Sequence, residues 1–240
     1  FAEELRHRTR SLVFSLQAGE AAIHDAFTEV PGSFEATIAA IQACQFVGID
    51  VTLHCVPTQI NFESLPALID MMRTLRVRRV SLLRFVPHGR GIGHSLALNR
   101  QQHLALRAMV TSLASDNQVS IRLGSPYSIL QRVDVPACRA GIDRMLIAPD
   151  GTAYPCDAYK GFVFPDDAFA NVFAVGLETV WTRSAFFREA REYARKLPSE
   201  CRDCAYEDTC HGGCPAQRVF QYGQFNLVHR DPDCLQYQTV

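Results

Sequence analysis

No stretch of the 240 residues comes near the ~20 consecutive apolar positions that a membrane-crossing helix requires, and no signal-peptide pattern opens the sequence. Neither sign of charge is in surplus: 24 Lys and Arg stand against 25 Asp and Glu, a formal net charge of -1. A nucleic-acid partner needs a basic surface to neutralise phosphate, so the balance counts against that class, and the cluster from Arg76 to Arg79 reads as a solvated face. The histidines lack helpers. His24, His88, His94 and His211 have no paired carboxylate at a readable spacing, and each reads as a satisfied or solvated ring rather than an acid or base.

What is present in quantity is cysteine. Seven of the nine cysteines fall between Cys138 and the end of the chain, four of them as C-x2-C-x5-C-x3-C at Cys201, Cys204, Cys210 and Cys214. Gly212-Gly213 in that run lets backbone pass close to inorganic sulfur. Upstream stand Cys138 and Cys156, with Gly151 between them, and Cys234 closes the series. Three chemistries compete. Disulfides suit small secreted domains, whereas 48% hydrophobic content in 240 residues is enough for a core. Four thiolates on one structural zinc leave Cys138, Cys156 and Cys234 unexplained. Two iron-sulfur clusters need up to eight ligands and find seven. Thiolates that must stay reduced place the chain in a cytoplasmic, reducing compartment.

The first half alternates strands and helices. Ser11 to Leu16 predicts a strand, Ser33 caps a helix that Gly48 ends, and Ile49 to Val56 predicts a second strand. Asn61 caps a helix with a core stripe at Leu65, Leu68, Ile69, Met72 and Leu75; Val80 to Val86 predicts a third strand and Asn99 opens a third helix to about Ala114. Cys44 and Cys55 read as buried core thiols. Such β/α units make a parallel sheet or part of a barrel, with ligands at the carboxyl ends of the strands, where Ser15, Gln17, Val56, Arg84 and Val86 fall. Near Ser125 the pattern changes. Met145 to Tyr154 predicts a hairpin and Leu177 to Leu197 a helix, followed by a cysteine loop held more by metal than by an apolar core.

The series C-x12-G-x4-C, gap, C-x2-C-x5-C-x3-C, gap, C resembles the signature of the SPASM domain of radical S-adenosylmethionine enzymes. The segments Ser15 to Gly19, His24-Asp25, Gly32-Ser33-Phe34, Asn61 to Leu65 and Arg84 to Arg90 are similar, less specifically, to that family's barrel. The resemblance implies an α/β fold: the second half of a radical S-adenosylmethionine barrel over residues 1–124, then a small α+β SPASM domain over 125–240. It implies two auxiliary 4Fe-4S clusters, the nearer on Cys138, Cys156 and Cys214 with Asp134 as a fourth-ligand candidate, the distal on Cys201, Cys204, Cys210 and Cys234. His211 is placed to hydrogen-bond cluster sulfur. Ser15, Arg84 and Val86 are the expected S-adenosylmethionine contacts.

The C-x3-C-x2-C motif that binds the family's third, radical-generating cluster does not occur in these residues. The expected complement is therefore an N-terminal half of the barrel, on this or another polypeptide. Three units cannot close a barrel, so the strand at Ser11 to Leu16, or failing that the one at Val80 to Val86, should present an unpaired edge. The implied activity is 5'-deoxyadenosyl radical chemistry on a peptide or protein side chain, with a flavodoxin or ferredoxin as electron donor. The alternatives are an electron-transfer or scaffold subunit, a tetrapyrrole-modifying enzyme, and a zinc-ribbon interaction domain. No membrane or nucleic-acid partner is expected.

Overall fold

The computed structural model describes residues 1–87, 91, 95–124 and 138–235. Described residues up to Phe85 and from Ser95 form one compact unit; Val86, Pro87 and the residues from Cys138 onward belong to another. The boundary expected at Ser125 lies outside the described residues, as do Asp134, His88 and His94.

The first unit opens with a short helix, α1 (Ala2–Arg6), and a strand, β1 (Ser11–Ser15). Helices α2 (Ala21–Thr28) and α3 (Ser33–Phe46) lead to β2 (Asp50–Cys55), α4 (Leu65–Thr74) to β3 (Arg79–Leu82), and α5 (Arg100–Ser112) to β4 (Ser120–Leu123). All pairs are parallel in the order β1-β2-β3-β4, with Ser15 beside His54, Cys55 beside Leu82, and Leu82 beside Leu123. The carboxyl ends therefore share one edge of the sheet. Val51, Leu53 and Cys55 alternate inward, while Val80, Ser81 and Leu82 are buried in succession, as in a strand covered on both faces. Leu68, Ile69 and Met72 of α4 and Ile41 and Cys44 of α3 complete this core.

The structure adds two elements that the sequence pattern did not suggest. Helix α2 falls between the first expected strand and Ser33, where no element was expected, and its buried face is a single residue, His24. Strand β4 is four residues long and only half-buried at its inward positions, too short for a periodic signal. Its pairing with β3 corrects one expectation: β3 is an interior strand. Among the described residues β1 and β4 are the terminal strands, and Val13 of β1 is 55% exposed. Strand β3 also stops at Leu82 rather than Val86.

Two expected helix caps are replaced by longer-range ones. Ser33 does not cap α3; its hydroxyl donates to Asp25 Oδ1, and Asp25 instead accepts from the backbone N–H groups of Gly32 and Phe34. Asn61 makes no cap either. Its Oδ1 accepts from Thr58 N, and its Nδ2 donates to the carbonyls of Gln17, at 2.6 Å, and Val56, at 3.1 Å. Gln17 returns the contact by accepting from Val56 N and donating its own N–H to His24 Nδ1. The ends of β1 and β2 are thus stapled by side-chain amides. By contrast Asn99 forms the expected capping box with Gln102 at α5.

Asn61→Ala removes the donor from two carbonyls and the acceptor from Thr58, and is expected to cost about 1–3 kcal/mol. An unchanged midpoint of chemical unfolding contradicts that role. The Asp25 carboxyl is held below its ordinary 3.8, first by the Phe34 N–H and then by the Gly32 N–H and the Ser33 hydroxyl, against a smaller opposing effect of burial. A depressed carboxylate adds stability above its unfolded pKa and loses it as pH falls through the lower folded value. Acid unfolding followed by circular dichroism should therefore steepen below about pH 4 in the parent and less so in Asp25→Asn; equal profiles contradict this.

Candidate functional site

In the second unit a two-residue ladder, β5 (Leu146–Ile147) with β6 (Ala153–Tyr154), delivers Cys156 at its exit. The Cys156 sulfur receives the backbone N–H groups of Ala158 and Tyr159, and the Cys138 sulfur that of Ala140. Helix α6 (Val172–Val175), capped by Asn171, precedes α7 (Leu177–Arg183) and α8 (Ala185–Arg195). The single helix expected from Leu177 to Leu197 is broken at Ser184, whose hydroxyl donates to Asp167 at 2.5 Å and accepts from Phe187 N.

The cysteine loop carries a short helix, α9 (Glu207–Cys210), and ends in α10 (Pro215–Tyr222), for which Cys214 is the N-cap position. His211, Gly212 and Gly213 are consecutively left-handed, at φ 51°, 78° and 79°, which turns the chain so that Cys214 is buried while Cys210 stays half-buried. A β-carbon at Gly213 would collide with the Asp231 side chain and one at Gly212 with the Pro198 ring. The glycines thus admit a carboxylate and a proline beside the loop. Asp231 uses that space to accept from Cys214 N at 2.7 Å.

The segments leading to Cys201 and Cys234 are tied across the chain. Ser199 N donates to Leu227 O and Glu200 N to Val228 O, while the Glu200 carboxylate meets Arg230 and the His229 ring.

This unit has an apolar core. Tyr159 stacks on Phe225 and Phe164 on Phe186, with Tyr193 edge-on to Phe225, and Cys214 is part of the cluster, with Cys138 and Cys156 packed against it.

Where one thiol acts on another, the pairs fall within the expected sets: Cys138 acts on Cys156, and Cys234 acts on Cys201 and Cys210. Burial pushes Cys156 up to about 11, with Cys138 adding to it, and burial raises Cys138 as well. Burial of the Tyr159 phenol raises it far above its ordinary value, and Cys214, Cys156 and Cys138 each contribute. In the other set burial lifts Cys201 to about 11, assisted by Cys234 and Cys204, and Cys210 to about 12, assisted by Asp231, Cys234 and Cys201. Unligated, these thiols hold their protons, so a metal must displace them.

The donor arrangement bears on which group fits. Among the described residues no cysteine is in a disulfide and no three His, Cys, Asp or Glu side chains are arranged as ligands of one ion. A structural zinc wants four thiolates about 2.3 Å from a single point. In a cubane each thiolate binds a different iron, so its ligands do not converge on a single point. Two fully buried polar groups beside the thiols also have no partner: the Tyr159 hydroxyl and all three nitrogens of the Arg218 guanidinium. Sulfur-rich clusters accept hydrogen bonds from such donors.

A profile of the SPASM family, described as an iron-sulfur cluster-binding domain, matches residues 138–205. The PqqA peptide cyclase of Gluconobacter oxydans is 28% identical over 202 residues, which are 82% of this chain and 54% of that protein. The mycofactocin maturase MftC of Mycobacterium tuberculosis is 30% identical over 237 residues, 92% of this chain and 56% of the other. The crystal structure of Streptococcus suis SuiB bound to its precursor peptide SuiA superposes with a TM-score of 0.72 at 19% identity, over 95% of this chain and 53% of SuiB. The chain belongs to the radical S-adenosylmethionine/SPASM family. It spans about half the length of the curated relatives it matches.

Within the SPASM half, the matched segment contains Cys138, Cys156, Cys201 and Cys204 and stops short of the last three thiols. His211 lines a cavity of about 410 Å³ together with Cys138, and Arg139, Arg195 and Lys196 give the lining three cationic side chains. Of the expected S-adenosylmethionine contacts, Ser15 is exposed at the end of β1 and Arg84 is buried two residues past β3, while Val86 is half-buried in the second unit. Gln17 is buried and committed to the staple around Asn61. Sequence reasoning missed Tyr159, Arg218 and Asp231. The available signal was position: Tyr159 is three residues after Cys156, and Arg218 one helical turn after Cys214.

In metal-free protein Tyr159→Phe deletes a buried hydroxyl that has no partner. The variant should be more stable than the parent by on the order of 1 kcal/mol in anaerobic chemical unfolding, and a loss of stability contradicts the unpartnered state.

Proposed function

We propose that this chain is the auxiliary-cluster portion of a radical S-adenosylmethionine peptide maturase. The observation that carries the reading is seven thiols gathered in one aromatic-cored unit of a SPASM-family chain, with Cys138 acting on Cys156 and Cys234 on Cys201 and Cys210. Cys201, Cys204, Cys210 and Cys234 hold one 4Fe-4S cluster. Cys138, Cys156 and Cys214 hold the other, whose fourth position falls to Asp134, to substrate or to another ligand. Residues 1–124 serve as barrel and 125–240 as SPASM domain. Ser15, Arg84 and Val86 contribute to S-adenosylmethionine binding in the complete protein, which carries a third cluster on its C-x3-C-x2-C motif. When bound, the clusters supply one-electron transfer and S-adenosylmethionine the hydrogen-abstracting radical.

The chain's own part is to keep the two sets separate and largely screened from water, by the Asp231 brace on Cys214 and the Glu200 tie between the Cys201 and Cys234 segments. The substrate class is a peptide or protein side chain, supported by relatives named for peptide substrates and by SuiB with its precursor peptide. The cationic lining of the cavity at Cys138 suits an acidic electron donor such as a flavodoxin or ferredoxin. Reduced thiols in this number fit a cytoplasmic setting, and no helix among the described residues is long and apolar enough to cross a membrane.

Anaerobically reconstituted protein should contain about eight irons and eight sulfides per chain, and Cys204→Ala about four of each. Full iron in the Cys204→Ala variant, or one zinc in the parent, contradicts the assignment.

A further inference from the structure

Among the described residues Arg218 is the largest fully buried side chain, at 0% exposure, and none of its three guanidinium nitrogens has a hydrogen-bond partner there. An arginine does not shed its charge, and a buried cation with five unused N–H donors is strongly disfavoured unless something anionic completes it. The face of the Tyr193 ring lies 4.3 Å from the guanidinium carbon, which cushions a cation but satisfies no N–H. Arg218 sits on α10 one turn after Cys214, with its backbone N–H on Cys214 O. The charge acts on both thiol sets, favouring the ionised form of Cys138 in one and of Cys201 in the other.

Two other cations that act on the thiols are already committed. Arg144 pairs with Asp143 and stands near Cys138, and Arg230 pairs with Glu200 and stands near Cys201 and Cys234. Arg218 acts on one thiol of each set, Cys138 and Cys201.

We propose that Arg218 is a counter-ion shared by the two cluster sites, its guanidinium donating hydrogen bonds to thiolate or sulfide sulfur of both. The proposal rests on the two-cluster reading above. Each cluster gains negative charge on reduction, so a fixed cation and N–H donors at its sulfurs raise its potential. One residue thereby sets both potentials together and keeps them close enough for an electron to pass in either direction. Arg218 is a positioning residue for redox poise and touches no substrate in this scheme.

The test compares reconstituted parent, Arg218→Met and Arg218→Lys by iron content and by redox titration followed with electron paramagnetic resonance. Parent protein well short of about eight irons removes the two-cluster premise, and the shared role with it. With full iron, Arg218→Met should move both midpoint potentials to more negative values and Arg218→Lys should recover much of the shift. Unchanged potentials, or a shift in one cluster only, overturn the proposal while leaving the cluster assignment intact. Should Arg218→Met hold no iron, parent protein labelled with 15N-arginine decides the matter. Nitrogen hyperfine coupling at both cluster signals, lost in Arg218→Lys, is the expected result, and its absence at either signal overturns the proposal. An arginine that merely packs on Tyr193 would lower metal-free stability and leave potentials and couplings where they were.

Discussion

Thiols crowded into an apolar interior resist ionisation, and that resistance organises the second unit. Cys156, Cys201 and Cys210 are pushed to about 11, 11 and 12, mostly by burial and partly by nearby thiols and, at Cys210, by Asp231. Such a group binds metal only if the protein supplies compensating charge and donors, because each thiolate formed raises the cost of the next. The backbone N–H groups at Cys138, Cys156 and Cys210 provide part of this, and the cations Arg144, Arg230 and Arg218 the rest. The left-handed run at His211 to Gly213 follows from the same need. It turns the chain between the half-buried Cys210 and the buried Cys214.

The first unit meets a different constraint. A parallel sheet gathers the carboxyl ends of its strands, where backbone groups leave the ladder and need partners. Gln17, His24 and Asn61 satisfy them by side-chain bonds across 7 to 44 residues of sequence. The result is a rim tied by side-chain bonds at the carboxyl ends of β1 and β2, with Ser15 exposed beside it. Asp25 plays the same part for α3, from a helix that itself buries only His24.

Much of this was legible in the sequence, and the failures share a cause. The cysteine spacing identified the family, and the strands from Ser11 to Leu82 followed from apolar periodicity, because both signals are local. The capping box at Asn99 was likewise a four-residue pattern. Ser33 and Asn61 look like caps of the same kind, yet their partners Asp25 and Gln17 are remote, and no local rule ranks a distant acceptor above a near one. Strand β4 and helix α2 were too short, and too lightly buried, for periodicity to register. Arg218 was invisible for a stronger reason: an arginine in an amphipathic helix is ordinarily solvated, and only burial without a partner marks this one.

The central claim is that seven thiols serve two separate clusters rather than one metal. Mössbauer spectroscopy of protein reconstituted anaerobically with 57Fe measures this most directly. The account predicts two 4Fe-4S populations of equal iron content, one fully thiolate-ligated and one with a distinct fourth iron site. A single four-iron population, or mononuclear iron alone, would contradict it.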